Sequence, residues 1–271
     1  MKGRLSSRFI QLKERGECGL VCYVLAGYPD PPMCRKIVRA LVSGGADIIE
    51  IGIPFSDPIA DGPSLQNASS LAIRRGITAE NAMDLASDIR NDYSDLPLVA
   101  MTYSNIVMRK GMEKFMKDAK ASGIDGFILP DMPIEESHQY HNYATNIGLS
   151  TVFLTSPNSS MPRVKQIIAM TTGFLYLVSV YGVTGARVSF DNYSISALKR
   201  VKKIAGSKVP VGVGFGISKP AHVQLMSNSG ADAVIVASAI INMITNSPKK
   251  SDLLNVIRDY TKSLKIACRK S

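Results

Sequence analysis

Glu50, Asp57 and Asp61 fall in one short stretch, EIGIPFSDPIADGP, at residues 50–63. Glu50 interrupts an apolar segment, DIIEIGI, that otherwise reads as a buried strand. Side chains alternate along a strand, so Glu50 shares a face with Ile48 and opposes Ile49 and Ile51. Either face of such a strand is poor in water, and an uncompensated carboxylate there is costly. Its pKa should rise, and a carboxyl that keeps its proton near neutrality is a usable general acid. Position alone equally allows a structural glutamate, paired with a buried arginine or backbone amides. Asp57 and Asp61 follow in a loop that Pro54, Pro58 and Pro63 stiffen by fixing φ. A stiff loop can hold a carboxylate over a site, but Asp beside Pro and Gly is also common turn chemistry. For Asp57 alone, turn chemistry is the better reading; Asp61, before Gly62, serves either way.

These groups need a scaffold. Short β-rich runs recur at residues 20–26, 47–53, 97–101, 126–130, 150–154, 174–180, 209–215 and 233–237. Amphipathic segments such as MCRKIVRALVSGG and ISALKRVKKIAG lie between them, many ending in the glycine that stops a helix. Continuous apolar runs alternating with helices argue for a parallel sheet. Eight such units predict an α/β fold, a (β/α)8 TIM barrel, with function at the C-terminal ends of its strands. SSRFIQLKERG predicts an N-terminal helix closing the barrel's bottom, and SDLLNVIRDYTKSLKIA the last helix. No linker, low-complexity tract or composition shift interrupts the 271 residues, so one domain over 1–271 is expected.

Composition narrows the class. No apolar run approaches the roughly 20 residues that span a bilayer. The start, MKGRLSSRFIQLKERGECGL, lacks the apolar centre of a signal peptide. A cytoplasmic protein is expected, with no membrane partner. Cys18, Cys22, Cys34 and Cys268 show no metal-ligand spacing and read as free thiols. The net charge of +10 is scattered, with no aromatics interleaved in its densest clusters. It reads as a generic basic surface rather than a nucleic-acid site, though anionic substrates benefit from its field.

The stretch EIGIPFSDPIADGPSLQNA resembles the signature of the tryptophan synthase α-chain family. LAGYPD, MTYSN, LPDMPIEES, FLYLVSVYGVTGAR and GVGFGIS match it in order over nearly the whole chain. The resemblance implies a lyase splitting indole-3-glycerol phosphate into indole and glyceraldehyde 3-phosphate, with Glu50 and Asp61 as the two catalytic carboxylates. It further implies a substrate pocket of Tyr23, Tyr176, Thr184, Gly185, Gly214, Phe215, Gly216, Ile235, Ala237 and Ser238. Thr184 and Gly185 belong to a long segment, residues 180–194, that reads as a lid. Gly214, Phe215, Gly216 and Ser238 follow the seventh and eighth strands, where barrels often bind phosphate with backbone amides and a helix N-terminus. Ala237 departs from the family, which usually has glycine there, and its methyl is expected to crowd the phosphate.

The resemblance also implies a tryptophan synthase β chain as partner, in an α2β2 heterotetramer whose β chain carries pyridoxal phosphate. No cofactor and no metal are expected in this chain. A Schiff-base aldolase needs a lysine at a strand end, and Lys110 lies well past the third. A metal aldolase needs clustered ligands, and His138, His141 and His222 fall on helices and read as surface residues. Indole needs neither device, because protonation at C3 gives an indolenine that accepts the electrons itself. One alternative is a catalytically weak α chain acting mainly as an allosteric activator of the β chain. Another is a different phosphate-binding barrel, which leaves the PFSDPIADGP loop unexplained.

Overall fold

The structure, a computed structural model, describes residues 3–178, 192–214, 216–247 and 251–269. Helix α1 (Arg4–Glu14) precedes β1 (Gly19–Leu25), α2 (Pro31–Ser43) and β2 (Ile48–Gly52). Two helices, α3 (Pro63–Arg74) and α4 (Ala79–Asp92), lead to β3 (Leu98–Met101). After α5 (Ser104–Lys110) and α6 (Met112–Ala121) come β4 (Gly126–Ile128), α7 (His138–Asn146), β5 (Ser150–Val152) and β6 (Leu154–Thr155). The chain continues through α8 (Met161–Met170), β7 (Leu175–Val178), α9 (Asn192–Ala205), β8 (Val211–Gly214) and α10 (Pro220–Asn228). It ends with β9 (Ala233–Val236), α11 (Ser238–Asn246) and α12 (Leu253–Ile266).

All strand pairings are parallel, in the order β5-β4-β3-β2-β1-β9-β8-β7-β6. The fifth expected strand is therefore two pieces. β5 pairs with β4, β6 pairs with β7, and the ring closes through Phe153 between them. The alternation of side chains carries across the break. Phe153 turns to the outer core, edge-on to Tyr140 at 5.9 Å, while Val152 and Leu154 pack inside the barrel.

Alternation divides two cores. Val21, Ile48, Val99, Ile128, Val152, Phe174, Ala233 and Ile235 fill the interior. Leu20, Cys22, Ile49, Ile51, Leu98 and Phe127 face the helices. Helix α1 closes the bottom as expected: Leu5 and Phe9 join the inner cluster, and Phe9 meets the Phe174 ring at 5.8 Å.

The bottom is tied by one device used three times. The residue before an inner strand offers a side-chain oxygen to a backbone N–H at the start of its sequence-preceding neighbour. Asp47 accepts from Leu20 at 2.8 Å, Asp125 from Leu98 at 2.9 Å and Asp232 from Val211 at 2.7 Å. A looser counterpart is Thr172, three residues before β7, whose hydroxyl accepts from Thr151 N on β5 at 2.9 Å. Each aspartate also meets a cation: Lys265 at 2.8 Å, Arg90 at 2.9 Å and Lys202 at 2.5 Å. The three aspartates lie two residues after Gly45, Gly123 and Gly230, all at positive φ, which turn the chain from helix to strand. Charge-assisted bonds to backbone donors in a dry site are the stronger kind. They fix the register that determines what points out of the opposite, C-terminal end.

Candidate active site

At that end, Glu50 sits on β2 with 1% exposure, on the inner face with Ile48. Its Cα partners are Tyr23 on β1 and Val99 on β3. Among the described residues no arginine or backbone amide satisfies it, and Oε2 has no hydrogen-bond partner. The structural-glutamate alternative therefore lacks its required partner. Burial first, and then the charge of Asp61, pushes the Glu50 carboxyl up to about 8. It holds its proton at neutral pH.

Asp61 is held by a braced loop. The Ser69 hydroxyl on α3 accepts from Phe55 N at 2.9 Å and donates to Phe55 O at 2.8 Å. Gln66 donates to the Asp61 carbonyl at 2.9 Å. Pro63 opens α3 immediately afterwards, where its missing N–H costs nothing. Burial pushes the Asp61 carboxyl up to about 7, against an opposing hydrogen bond from the Tyr103 hydroxyl. Two carboxyls thus face one mouth, both raised above the ordinary carboxylate range by burial, and only Asp61 has the opposing hydrogen bond from Tyr103.

Tyr103 is the residue the sequence reading passed over. It follows β3, bonds Asp61, accepts from Ala60 N at 3.1 Å and stacks on Phe55 at 4.9 Å. The signal was visible in MTYSN, a hydroxyl-bearing aromatic at a strand end. Asp131 braces the next loop by accepting from Ser104 N at 2.9 Å and Ser104 Oγ at 2.6 Å.

Tyr23 and Tyr176 flank the carboxyls. Each leans over a glycine of the neighbouring strand: a Cβ at Gly52 would strike the Tyr23 ring, and one at Gly214 would lie 2.5 Å from the Tyr176 ring. Ile235 is buried beneath, in the inner cluster beside Val21. Gly214 ends β8, and Gly216 has φ +69°, a conformation that favours glycine. Ser238 begins α11, whose first turn carries no acid to repel an anion. Because β8 and β9 are paired, these loops open on one side of the mouth. Ala237 has φ −118°, so alanine sits there without backbone strain. Thr184, Gly185 and Phe215 lie outside the described residues, as does most of the 180–194 segment.

The histidines differ from expectation. Only His138 is exposed; His141 is half-buried with Nδ1 at 2.9 Å from Met170 O, and His222 is half-buried beside Ser218 N. Among the described residues no group of three His, Cys, Asp or Glu could hold a metal, and no strand ends in lysine. No described helix is long and apolar enough to cross a membrane.

A parallel barrel with two buried carboxyls of raised pKa at its C-terminal mouth is the architecture of a barrel enzyme working by acid–base chemistry. A family profile described as tryptophan synthase alpha chain matches residues 9–268. The tryptophan synthase alpha chain of Methanosarcina barkeri is 42% identical over 260 residues, covering 96% of each chain. That of Arabidopsis thaliana is 39% identical, covering 97% of this chain and 94% of its own. A Mycobacterium tuberculosis tryptophan synthase structure superposes with TM-score 0.90 at 33% identity over 100% of both chains. The Legionella pneumophila alpha chain gives 0.90 at 30%, covering 99% of this chain and 98% of its own. The chain belongs to the tryptophan synthase α-chain family, and is a lyase of tryptophan biosynthesis.

Proposed function

We propose that the chain cleaves indole-3-glycerol phosphate to indole and glyceraldehyde 3-phosphate with Glu50 as acid–base and Asp61 as anion. The observation that carries this is the pair of carboxyls, one buried without a partner and one bonded to Tyr103. Glu50 enters protonated and delivers its proton to C3 of the ring, giving an indolenine. It then takes up the glycerol hydroxyl proton as the carbon–carbon bond breaks and the electrons return to the ring. Asp61, the more readily ionised of the two, accepts the ring N–H and stabilises the positive charge there. Each such proton transfer contributes about 10²–10⁴ in rate. The phosphate is held by amides around Gly214 and Gly216 and by the first turn of α11, with Ser238.

The partner in this reading is a tryptophan synthase β chain in an α2β2 assembly, which carries the pyridoxal phosphate. A Schiff base to that group needs a lysine at the site, and no described strand ends in one here. The docking face includes the 55–59 loop. Phe55 is half-buried against Tyr103 and Pro58 is buried, so its apolar contact falls to Ile59, which is 74% exposed. Four buried free cysteines suit a reducing compartment, and we take the reaction to be cytoplasmic. The test is indole release from indole-3-glycerol phosphate, with and without a β chain. Weak release alone and a large increase with the partner are expected. No release under either condition overturns the reading and leaves a chain that only activates the β chain.

A further inference from the structure

The proposed mechanism leaves one polar group at the mouth unused. Tyr23 and Glu50 are Cα partners on adjacent parallel strands, so their side chains leave the sheet together, about 4.8 Å apart at the backbone. Both are buried, at 2% and 1% exposure. Gly52, two residues beyond Glu50, has no side chain, and a Cβ there would collide first with the Tyr23 hydroxyl. The phenol therefore leans toward the mouth, and its oxygen ends on the substrate side of Glu50. Glu50 Oε2 lacks a partner, and among the described residues no hydrogen bond involves the Tyr23 hydroxyl. A phenol donor and an unpartnered carboxyl oxygen thus stand on adjacent strands at one wall of the mouth.

We propose that Tyr23 is a positioning residue for Glu50: its neutral hydroxyl donates to the Glu50 carboxylate whenever Glu50 has given up its proton. This rests on the lyase reading above and adds to it what stabilises the ionised half of the cycle. When Glu50 protonates C3, its O–H bond breaks and a C–H bond forms. The carboxylate left behind is buried, and the charge acting on it is the like charge of Asp61. Among the described residues, the groups gathered here are Tyr23 from β1, Asp61 from the loop after β2, Tyr103 after β3 and Tyr176 from β7, and none of these is a cation. A neutral donor is the stabiliser the site possesses, and a hydrogen bond to an ionised acceptor is roughly twice as strong as a neutral one. Tyr23 itself keeps its proton throughout. Burial, then Asp61 and Glu50, push its phenol well above the ordinary range, so it donates a hydrogen bond without competing as an acid.

Tyr23→Phe removes one oxygen and keeps the ring over Gly52. The measurements are the pH profile of indole release and the titration of the Glu50 carboxyl followed by carbon-13 NMR. The variant should raise the Glu50 titration by about one pH unit or more, the scale of a hydrogen bond to a charged group. The limb of the profile that belongs to Glu50 should move up with it, while KM changes less than kcat. A Glu50 titration unmoved by Tyr23→Phe, with a superimposable profile or a uniform loss at all pH values, overturns the proposal and leaves Tyr23 a packing residue. Wild-type protein that releases no indole sinks the lyase reading instead, and the NMR titration still decides the Tyr23–Glu50 pair.

Discussion

At the scale of the residue, an unpartnered buried carboxyl has two measurable signatures. Glu50→Gln should abolish indole release while substrate still binds, because the amide keeps the shape and loses the proton; turnover and KM together decide this. The second signature is stability. The folded pKa of Glu50, about 8, lies above the ordinary glutamate value of 4.5. The folded state therefore binds the proton more tightly, and stability falls as pH rises from about 4.5 to about 8. Glu50→Gln should remove that fall and gain on the order of 5 kcal/mol at pH 9 over wild type, read from urea unfolding at pH 5 and pH 9. At the phosphate end, Ala237→Gly removes only a methyl from a residue whose φ of −118° asks for no glycine. Affinity for glycerol phosphate should hold or rise, as titration calorimetry would show; a clear loss would mean the methyl packs productively.

At the scale of the element, the bottom clasps hold strands in the register that aims Glu50 at the mouth. Asp125 accepts from Leu98 N and pairs with Arg90 and Arg4 at 2.9 and 3.0 Å. Asp125→Ala leaves a buried N–H and a half-buried guanidinium without their acceptor, so it should cost about 2–4 kcal/mol. Urea denaturation checks this, and an unchanged midpoint would mean the clasp contributes nothing. The clasps show what sequence reading reaches and where it stops. Alternation and glycine stops made the barrel legible, since both follow from local period, but left open whether Glu50 faced the interior or the helices. The recurring Gly-x-Asp before β2, β4 and β9 was on the page too, but its meaning is a bond to a strand far away in sequence. Tyr103 escaped for the same reason: its contact with Asp61 is created by the ring. The break at Phe153 was illegible because STVFL reads as one strand in any local pattern.

At the scale of the whole molecule, the mouth is both a site and a surface. Asp57 stands exposed on the braced loop, its carboxylate bonded to the Ser56 hydroxyl at 2.5 Å and turned away from the carboxyl pair. Asp57→Ala should spare the basal rate of indole release and reduce the increase produced by a β chain, with both rates measured on one preparation. Equal loss of both would put Asp57 in the chemistry.

The seam at Phe153 carries a further consequence. A ring has no ends, but this one is a ribbon of nine strands whose two ends are the same piece of chain, and its closure at β6 is two residues long. A breath of the barrel should begin there, as a zip fails at its slider. Native-state hydrogen exchange should find the amides of the β6–β7 junction, such as Tyr176 N bonded to Phe153 O at 2.9 Å, trading with solvent before those of β1 and β2. Since Leu154 and Tyr176 are Cα partners across that seam, its opening loosens one wall of the pocket while Glu50 stays fixed on the far side. The molecule has, in effect, a soft flank and a stiff one, and its proton-carrying group stands on the stiff one.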